Sequence, residues 1–166
     1  ATIRHDLMGV QPLVDEIASS VWRNPGAFVS MARLKTHDDY TYMHSVAVCA
    51  LMVSLGRQLG LDESQAREVG LAGMLHDMGK AMMPLEVLNK PDKLTDDEYT
   101  IMKTHPQRGI ELLQEGKGAG TITHDVCLHH HDRPDGRGYP DSLTGPALSR
   151  FARMGAVCDV YDAVTS

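Results

Sequence analysis

Residues 71–80 read Leu-Ala-Gly-Met-Leu-His-Asp-Met-Gly-Lys, and this stretch decides the fold. Its first half is the apolar end of a helix, and we expect Gly79 to end that helix. A neutral imidazole beside a carboxylate at such a helix end is suited to anchor a buried metal site. In that interpretation His76 binds one ion and Asp77 bridges two.

A single His-Asp pair taken in isolation is more often a metal-free, hydrogen-bonded core pair than a metal site. Further residues of metal-ligating types occur along the same chain, namely His44, His105, His129, His130, His131 and Asp159. His44 shares a helical stripe with Val48 and therefore faces the core, where a buried histidine without metal is the alternative. The histidine run at 129–131 is also compatible with incidental surface metal binding.

Apolar residues recur at helical spacing along the whole chain and no strand-type alternation is present, so we predict an all-α fold. Capping boxes at Asp62 with Gln65 and at Thr95 with Glu98 predict two helix starts. The helix that starts at Thr95 is predicted to break at His105-Pro106 and to resume over 109–115. Three further helices are predicted in the first part of the chain, at 10–21, from Asn24-Pro25 to Leu34, and at 38–60. Two more are predicted near the end of the chain, one that ends in the histidine run and one from Leu148 that carries Asp159 and Asp162.

Residues 132–146 are dense in Gly, Pro and Asp and predict a long loop rather than a helix. Gly138-Tyr139-Pro140 lies within it and is compatible with a simple turn. Arg137 and Tyr139 nevertheless offer a guanidinium and a phenol that suit contacts with a phosphate or a base.

The composition of the chain argues against several classes of protein. A formal net charge of −6 and a pI near 5.8 argue against a duplex nucleic-acid binder, but leave a small anionic substrate open because bound metal ions add positive charge. The three cysteines lack metal or disulfide spacing, so we expect small core residues in a reducing cytoplasm.

There is no apolar run of membrane-spanning length and no signal peptide. Because the chain begins without methionine, we expect a piece of a longer protein, which could be membrane-anchored.

Taken together, the motifs resemble the HD-GYP domain phosphodiesterases, a branch of the HD metal-dependent phosphohydrolase superfamily. The matching features, in the family's order, are Tyr40-Thr41, His44-Ser45, His76 to Lys80, Asn89 to Pro91, Lys103 to Pro106, His130-His131, Gly138 to Pro140, and Asp159 to Ala163. The resemblance implies an all-α, HD-superfamily helical bundle with a long Gly/Pro-rich GYP loop. It places the catalytic domain at 37–166 and leaves 1–36 as N-terminal helices or a linker packing on the core.

The resemblance also implies two overlapping ligand sets. One comprises His44, His76, Asp77 and Asp159, and the other comprises Asp77, His105, His130 and His131. A mixed imidazole and carboxylate set suits two divalent ions of the transition series, with iron or manganese implied by the family and nickel, cobalt or zinc compatible on purification. Tyr40 stands where some members have a glutamate for a third ion, so we expect two.

The implied reaction is hydrolysis of cyclic di-GMP to linear pGpG by a hydroxide that bridges the metals, with a further cut to GMP left open. The implied catalytic residues are Asp77, which positions the bridge, Lys80, which holds the phosphate, and Asp162, which relays a proton. The implied substrate-binding residues are Lys80, Arg137, Gly138, Tyr139 and Pro140. A solvated Lys80 and a solvent-exposed Asp159/Asp162 pair are the alternatives. The family also implies GGDEF-domain or other signalling proteins as partners at the GYP loop.

Three rival interpretations remain open at this stage. The chain could be a non-catalytic cyclic di-GMP receptor, an HD hydrolase of another cyclic dinucleotide or nucleotide, or a structural helical module with incidental histidines. The chain also ends before the family's Asp-Arg-Pro segment, so we expect a C-terminally truncated domain that retains its metals but binds substrate less well. The oligomeric state is left undetermined.

Overall fold

The structure is a computed structural model and describes residues 10–19, 40–115 and 119–166. Its α-helices are α1 (10–19), α2 (Tyr40–Gln58), α3 (Glu63–Leu75), α4 (Leu85–Leu88), α5 (Asp96–Met102), α6 (His105–Glu115), α7 (Thr121–His129) and α8 (Arg150–Thr165), with a 3₁₀ helix at Met78–Met82. Within these ranges there is no β-strand, which confirms the all-α prediction. The predicted boundaries at Val21 and Asp38 and the segment from Asn24 to Leu34 lie outside the described residues.

Both predicted capping boxes are present and start their helices. The Asp62 carboxylate accepts a hydrogen bond from the Gln65 N–H at 2.8 Å, and the Gln65 side chain accepts one from the Asp62 N–H at 3.3 Å. Thr95 and Glu98 form the same reciprocal pair at the start of α5. Each box satisfies backbone donors that the first turn of a helix leaves without partners.

Gly79 is not the end of α3, so that prediction is wrong. The helix ends at Leu75, and Gly79 lies within the following 3₁₀ helix. A Cβ atom at Gly79 would lie 1.9 Å from the carbonyl oxygen of His105. Glycine is required here because α6 passes too close for a side chain, which is a packing constraint and not a capping one.

The helix interruption before Pro106 is confirmed, but the resumption at Gly109 is wrong. α5 ends at Met102 and α6 begins at His105, four residues earlier than predicted. Proline is tolerated in the first turn of a helix because the N–H that it lacks would have no partner there. His105 is therefore held rigidly as the first residue of a helix.

Two apolar clusters hold the helices together. α1 contributes Val14 and Ile17 to a cluster that also contains Val53 of α2 and Leu113 of α6. A second cluster joins α2, α3, α7 and α8 through Val48, Met52, Val69, Val126 and Met154. Each fully buried aliphatic side chain contributes about 1.5–3 kcal/mol to folding. The division at residue 36 stays a prediction.

The three cysteines are buried and free, as expected of core residues. Burial raises the pKa of the Cys49 thiol to about 12. Among the described residues, no helix is both long and apolar enough to cross a membrane.

The long loop between α7 and α8 is present, as predicted for residues 132–146. It folds back on itself through an isolated antiparallel bridge between Asp135 and Thr144. Ser149 then caps α8 by accepting a hydrogen bond from the Ala152 N–H at 3.0 Å. The loop is therefore anchored at both ends and lies over the end of α7.

Candidate metal centre

Five helices bring the predicted ligands to one buried point. His76 and Asp77 follow the end of α3, His105 opens α6 and His130 closes α7. His44 on α2 and Asp159 on α8 complete the cluster. Five of these side chains are buried, with relative exposures of 1–5%, namely those of His44, His76, Asp77, His105 and His130. Buried polar groups at several helix ends require partners, and here those partners are one another.

The two oxygens of the Asp77 carboxylate face different histidines. Oδ2 lies 3.3 Å from His76 Nε2 and 3.8 Å from His44 Nε2. Oδ1 lies 3.2 Å from His105 Nε2 and 3.7 Å from His130 Nε2. The carboxylate thus contributes one oxygen to each of two sets, which is the arrangement of a bridging ligand between two ions.

The donor atoms of each group lie within 4.8 Å of one another. One group, which we call the imidazole-rich set, comprises Asp77, His105, His130 and His131. The other comprises His44, His76 and Asp77, and Asp159 joins it because its Oδ1 lies 3.0 Å from His44 Nε2 and 3.6 Å from His76 Nε2. We call these four residues the carboxylate-rich set. The structure thus brings together both predicted sets, while metal coordination by them stays a prediction.

Hydrogen bonds on the far side of the rings orient four of the histidines. Nδ1 of His76 lies 2.7 Å from the Gly73 carbonyl, and Nδ1 of His105 lies 2.8 Å from the Met102 carbonyl. A carbonyl oxygen can only accept, so Nδ1 must carry the proton and donate. In the neutral ring the lone pair is then on Nε2, which faces the cluster. Such outer hydrogen bonds are typical of metal-ligating histidines.

The remaining two of these histidines follow the same rule. Nδ1 of His130 lies 3.0 Å from the carbonyl oxygen of Cys127. Nδ1 of His44 lies 2.6 Å from the buried carboxylate of Asp162. The carboxylate behind His44 makes that imidazole a stronger donor than a backbone carbonyl would.

Several inward-facing atoms suit a cation better than they suit one another. Nε2 of His105 and Nε2 of His130 face each other at 3.3 Å, although both carry lone pairs in the tautomers described above. His76 Nε2 and Asp77 Oδ1 are buried without a hydrogen bond of acceptable geometry. Unsatisfied buried polar atoms are costly, and divalent cations bound in the two sets would satisfy these atoms. The residues therefore fit a two-metal centre.

The two carboxylates of the centre are held ionised. Burial raises the pKa of the Asp77 carboxyl, but the adjacent imidazoles of His76 and His105 outweigh this effect, so the net pKa lies well below the usual value. Burial likewise raises the pKa of Asp159, and the adjacent imidazoles of His44 and His76 lower it further than burial raises it. Anionic oxygens are thus available to a cation at neutral pH.

The histidines differ in their electrostatic surroundings. Burial lowers the pKa of His130, and burial with two neighbouring imidazoles lowers that of His131 to about 3. Burial lowers the pKa of His76 as well, but the Asp77 and Asp159 carboxylates outweigh this and raise it to about 10. The imidazole-rich set thus contains rings that are neutral at physiological pH, the form that binds metals.

Lys80 and Asp162 contact different residues of the centre. The Lys80 ammonium lies 2.6 Å from Asp77 Oδ2 and its side chain is about one third exposed, so it is at the edge of the cluster and within reach of solvent. Asp162 is 1% exposed and contacts His44 from behind. Of the predicted catalytic residues, Lys80 therefore lies at the open edge of the centre, and Asp162 is buried behind a ligand.

The loop reaches the centre through Tyr139. Its ring stacks on His131, with centroids 4.7 Å apart and an interplanar angle of 26°. A Cβ atom at Gly138 would lie 2.4 Å from the backbone of His131 and Arg133, so this glycine permits the loop to approach the end of α7. Pro140 follows Tyr139 directly and is partly buried. Arg137 has an exposed side chain, and no contact between its guanidinium and the cluster is among those of the described residues.

His129, the neighbour left outside the ligand sets, is used differently. Its Nδ1 lies 2.9 Å from the Asp132 carboxylate, whose other oxygen accepts the Leu143 N–H at 3.0 Å. Asp132 is 1% exposed and ties the long loop to α7. Sequence analysis assigned no role to Asp132, and a carboxylate three residues after a histidine at a helix end was the signal available.

Comparisons with known proteins identify the family of this chain. The chain matches the HD domain family over residues 21–166. It is 56% identical over 161 residues to the cyclic di-GMP phosphodiesterase PA4108 of Pseudomonas aeruginosa, covering 97% of this chain and 39% of that protein. It is 36% identical over 126 residues to the 3'3'-cGAMP-specific phosphodiesterase 1 of Vibrio cholerae, covering 76% of this chain and 29% of that protein. The chain thus spans well under half the length of these curated relatives.

A solved structure, Bd1817, a HDG"Y"P protein from Bdellovibrio bacteriovorus, has the same fold. The TM-score is 0.81 at 21% identity, and the match covers 98% of this chain and 53% of that one. The fold, the helix ends that carry the histidines, and the match over most of the sequence agree on one conclusion. This chain belongs to the HD domain family of proteins, as its motifs predicted.

Proposed function

We propose that this chain is a metal-dependent phosphodiesterase that hydrolyses cyclic di-GMP to linear pGpG. The observation that carries the proposal is the Asp77 carboxylate, whose two oxygens divide between two sets of inward-facing donors. The names of the relatives from Pseudomonas and Vibrio, both cyclic dinucleotide phosphodiesterases, support the class of substrate. Two bound divalent ions, with iron or manganese favoured by the donor set, would activate a water molecule and neutralise phosphate oxygens.

The residues of the centre itself perform two tasks in this proposal. Asp77 fixes the position of the two ligand sets relative to each other, because its carboxylate contributes one oxygen to each set. The hydrogen bonds behind His44, His76, His105 and His130 hold each Nε2 inward before anything binds, which lowers the cost of assembling the site.

Lys80 would hold the phosphodiester at the open edge of the centre. Its ammonium already lies against Asp77 and its side chain is partly exposed, so it can contact a non-bridging oxygen of a bound phosphate. Tyr139 contributes a phenol beside His131, at the imidazole-rich set. Arg137 lies two residues before Tyr139 on the same loop, and its contact with substrate is proposed from this position alone.

For Asp162 the geometry favours a positioning role over the proton relay predicted from the sequence. Its carboxylate is buried and bonded to His44 Nδ1, on the side of the ring away from Asp77. A relay must reach the leaving group directly or through one water. We therefore propose that Asp162 orients His44, strengthens it as a ligand, and touches no substrate.

The test is turnover by protein purified anaerobically and supplied with Mn²⁺ or Fe²⁺. Cyclic di-GMP, 3'3'-cGAMP and linear pGpG are incubated separately, and the products are separated by chromatography. Release of pGpG from cyclic di-GMP supports the proposal, and GMP would indicate a second cut. Binding without turnover at saturating metal would favour the receptor alternative.

The second candidate is hydrolysis of a different cyclic dinucleotide. The Vibrio relative, by its name, is specific for 3'3'-cGAMP, and it shares more than a third of the aligned residues with this chain. A higher kcat/KM for 3'3'-cGAMP than for cyclic di-GMP would replace the first proposal with this one. A cytoplasmic location and signalling partners at the loop, such as GGDEF-domain proteins, stay predictions.

A further inference from the structure

A row of aromatic rings leads from the imidazole-rich set to the protein surface. The His131 ring stacks on Tyr139, and the Tyr139 ring meets the Tyr99 ring edge-to-face, with centroids 6.5 Å apart and an interplanar angle of 83°. Tyr99 lies on α5 and is 48% exposed. An exposed aromatic ring keeps its π-face available to a ligand. Tyr99 is such a ring, and Tyr139 connects it to the imidazole-rich set.

A cation already occupies the face of this exposed ring. The ammonium of Lys103, one helical turn after Tyr99, lies 5.0 Å from the ring centroid. A cation–π contact at an exposed site is weak, and a lysine side chain is flexible enough to move aside. A flat ligand can therefore replace the ammonium on the ring, and the displaced charge remains available to an anionic group of the same ligand.

We infer that Tyr99 is a base-binding residue of this site, a platform on which a purine base of the substrate stacks while its phosphodiester lies at the metal centre. Aromatic side chains are common platforms for nucleotide bases because every base presents a π-face. Lys103 then contacts a phosphate of the bound nucleotide. The inference rests on the proposed function, because the occupant is the substrate of the same site.

The experiment measures the contribution of the base to binding. The affinities of GMP and of ribose 5-phosphate for the Mn²⁺-loaded protein are determined by calorimetry, because these two ligands share a phosphate and a ribose and differ in the base. In the wild type GMP binds about tenfold or more tightly than ribose 5-phosphate, the range expected for one stacked base. In Tyr99→Leu this ratio falls to about one.

Matched variants separate stacking from other effects. Tyr99→Phe keeps the ring and therefore keeps the wild-type ratio. Ile101→Ala removes another exposed side chain of α5 that is two residues on, and hence on the opposite side of the helix, and it also keeps the ratio. Tyr99→Gln is a second non-aromatic variant in case the leucine variant folds poorly. Metal content and circular dichroism of each variant are compared with the wild type.

Lys103 is tested through the same two ligands. Lys103→Gln weakens GMP and ribose 5-phosphate by the same factor, because the ammonium contacts phosphate and not base. Lys93→Gln, which removes an exposed lysine before α5, changes neither affinity. A selective loss of GMP affinity in Lys103→Gln would overturn the assigned role of the lysine.

The inference is overturned if GMP binds no more tightly than ribose 5-phosphate in the wild type, or if Tyr99→Leu keeps the wild-type ratio. Failure of the proposed function gives a different result. If the wild type turns over no cyclic dinucleotide but loses the GMP preference in Tyr99→Leu, the phosphodiesterase proposal fails and the base-binding residue stands. If turnover is normal and the ratio is unaffected by Tyr99→Leu, the phosphodiesterase proposal stands and the inference fails.

Discussion

The two ligand sets share Asp77 but differ in charge and in what lies behind them. The carboxylate-rich set contains two ionised carboxylates, and a third, that of Asp162, supports His44 from behind. The imidazole-rich set contains only the shared carboxylate. In this set, His105 and His130 donate their Nδ1–H groups to neutral backbone carbonyls. Negative charge therefore concentrates on the α2 and α8 side of the centre.

This difference suggests a division of labour between two neighbouring ions. Greater negative charge binds a divalent cation more tightly, so we expect the carboxylate-rich set to load first. The imidazole-rich set borders Tyr139 and the long loop, where a substrate would approach. One half of the centre would then act mainly as an anchor and the other half would face the substrate.

The largest effect is expected from removing the charge that both sets share. Asp77→Asn keeps the shape of the side chain but leaves neither ion with an anionic bridge, so metal content falls from about two ions per chain to near zero and turnover is abolished. Elemental analysis and product chromatography measure both quantities. Asp97→Asn, at an exposed position in the first turn of α5, is the matched control and changes neither. Two retained ions in Asp77→Asn would refute the bridge.

Single histidine variants separate the two halves. His131→Ala is expected to retain about one ion, bound as tightly as the first ion of the wild type, because the carboxylate-rich set is intact. His44→Ala is also expected to retain about one ion, but only at higher free metal, since the remaining complete set carries less charge. Metal titration followed by elemental analysis gives both affinities. Equal affinities in the two variants would contradict the division of labour.

Asp162→Asn gives a smaller effect and distinguishes positioning from proton relay. Loss of the carboxylate behind His44 is expected to weaken the first metal affinity by about 10–100-fold, as is usual for partners behind a ligand. At saturating metal kcat recovers to near the wild-type value. A proton relay would give the opposite pattern, with unchanged metal affinity and a low kcat that extra metal does not restore.

The smallest effect is expected at the histidine next to the cluster. His129→Ala removes a hydrogen bond to Asp132 that ties the loop to α7, so the free energy of unfolding falls by about 1 kcal/mol. Metal content and turnover stay within about twofold of the wild type, because His129 belongs to neither set. Chemical denaturation measures the stability, and elemental analysis measures the metal content. Loss of an ion in this variant would show that His129 is a ligand and that the ligands in the histidine run were assigned to the wrong residues.

The candidate ligand residues were predicted from the resemblance to the HD-GYP family, and several of them also lie where the local sequence is informative. His76 and Asp77 follow an apolar helix, His105 precedes a proline, and His130 closes a helix that a Gly-rich segment follows. These signals depend on neighbours in the sequence, and the structure brings the predicted residues to one point. The two capping boxes were predicted for the same reason, since a cap is formed by residues only three apart.

Features that depend on distant residues were harder to predict. Gly79 was wrongly interpreted as a helix stop, because its constraint is the carbonyl oxygen of His105, 26 residues away along the chain. Asp162 was predicted to relay a proton, and the positioning role proposed instead rests on its contact with His44, 118 residues away. Tyr99 had no distinguishing signal at all, because its meaning depends on the ring of Tyr139 in the long loop.

By itself, the sequence determined that the protein is helical, that several of its histidines and Asp77 lie at helix ends, and that a loop rich in glycine and proline follows the histidine run. Helix periodicity, capping and backbone restriction are local, so they can be recognised in one linear segment. Only the tertiary structure decided which oxygen of Asp77 faces which histidines, which carboxylate supports His44, and that the exposed ring of Tyr99 contacts Tyr139. Those relations arise from packing between segments far apart in the chain, and no local pattern encodes them.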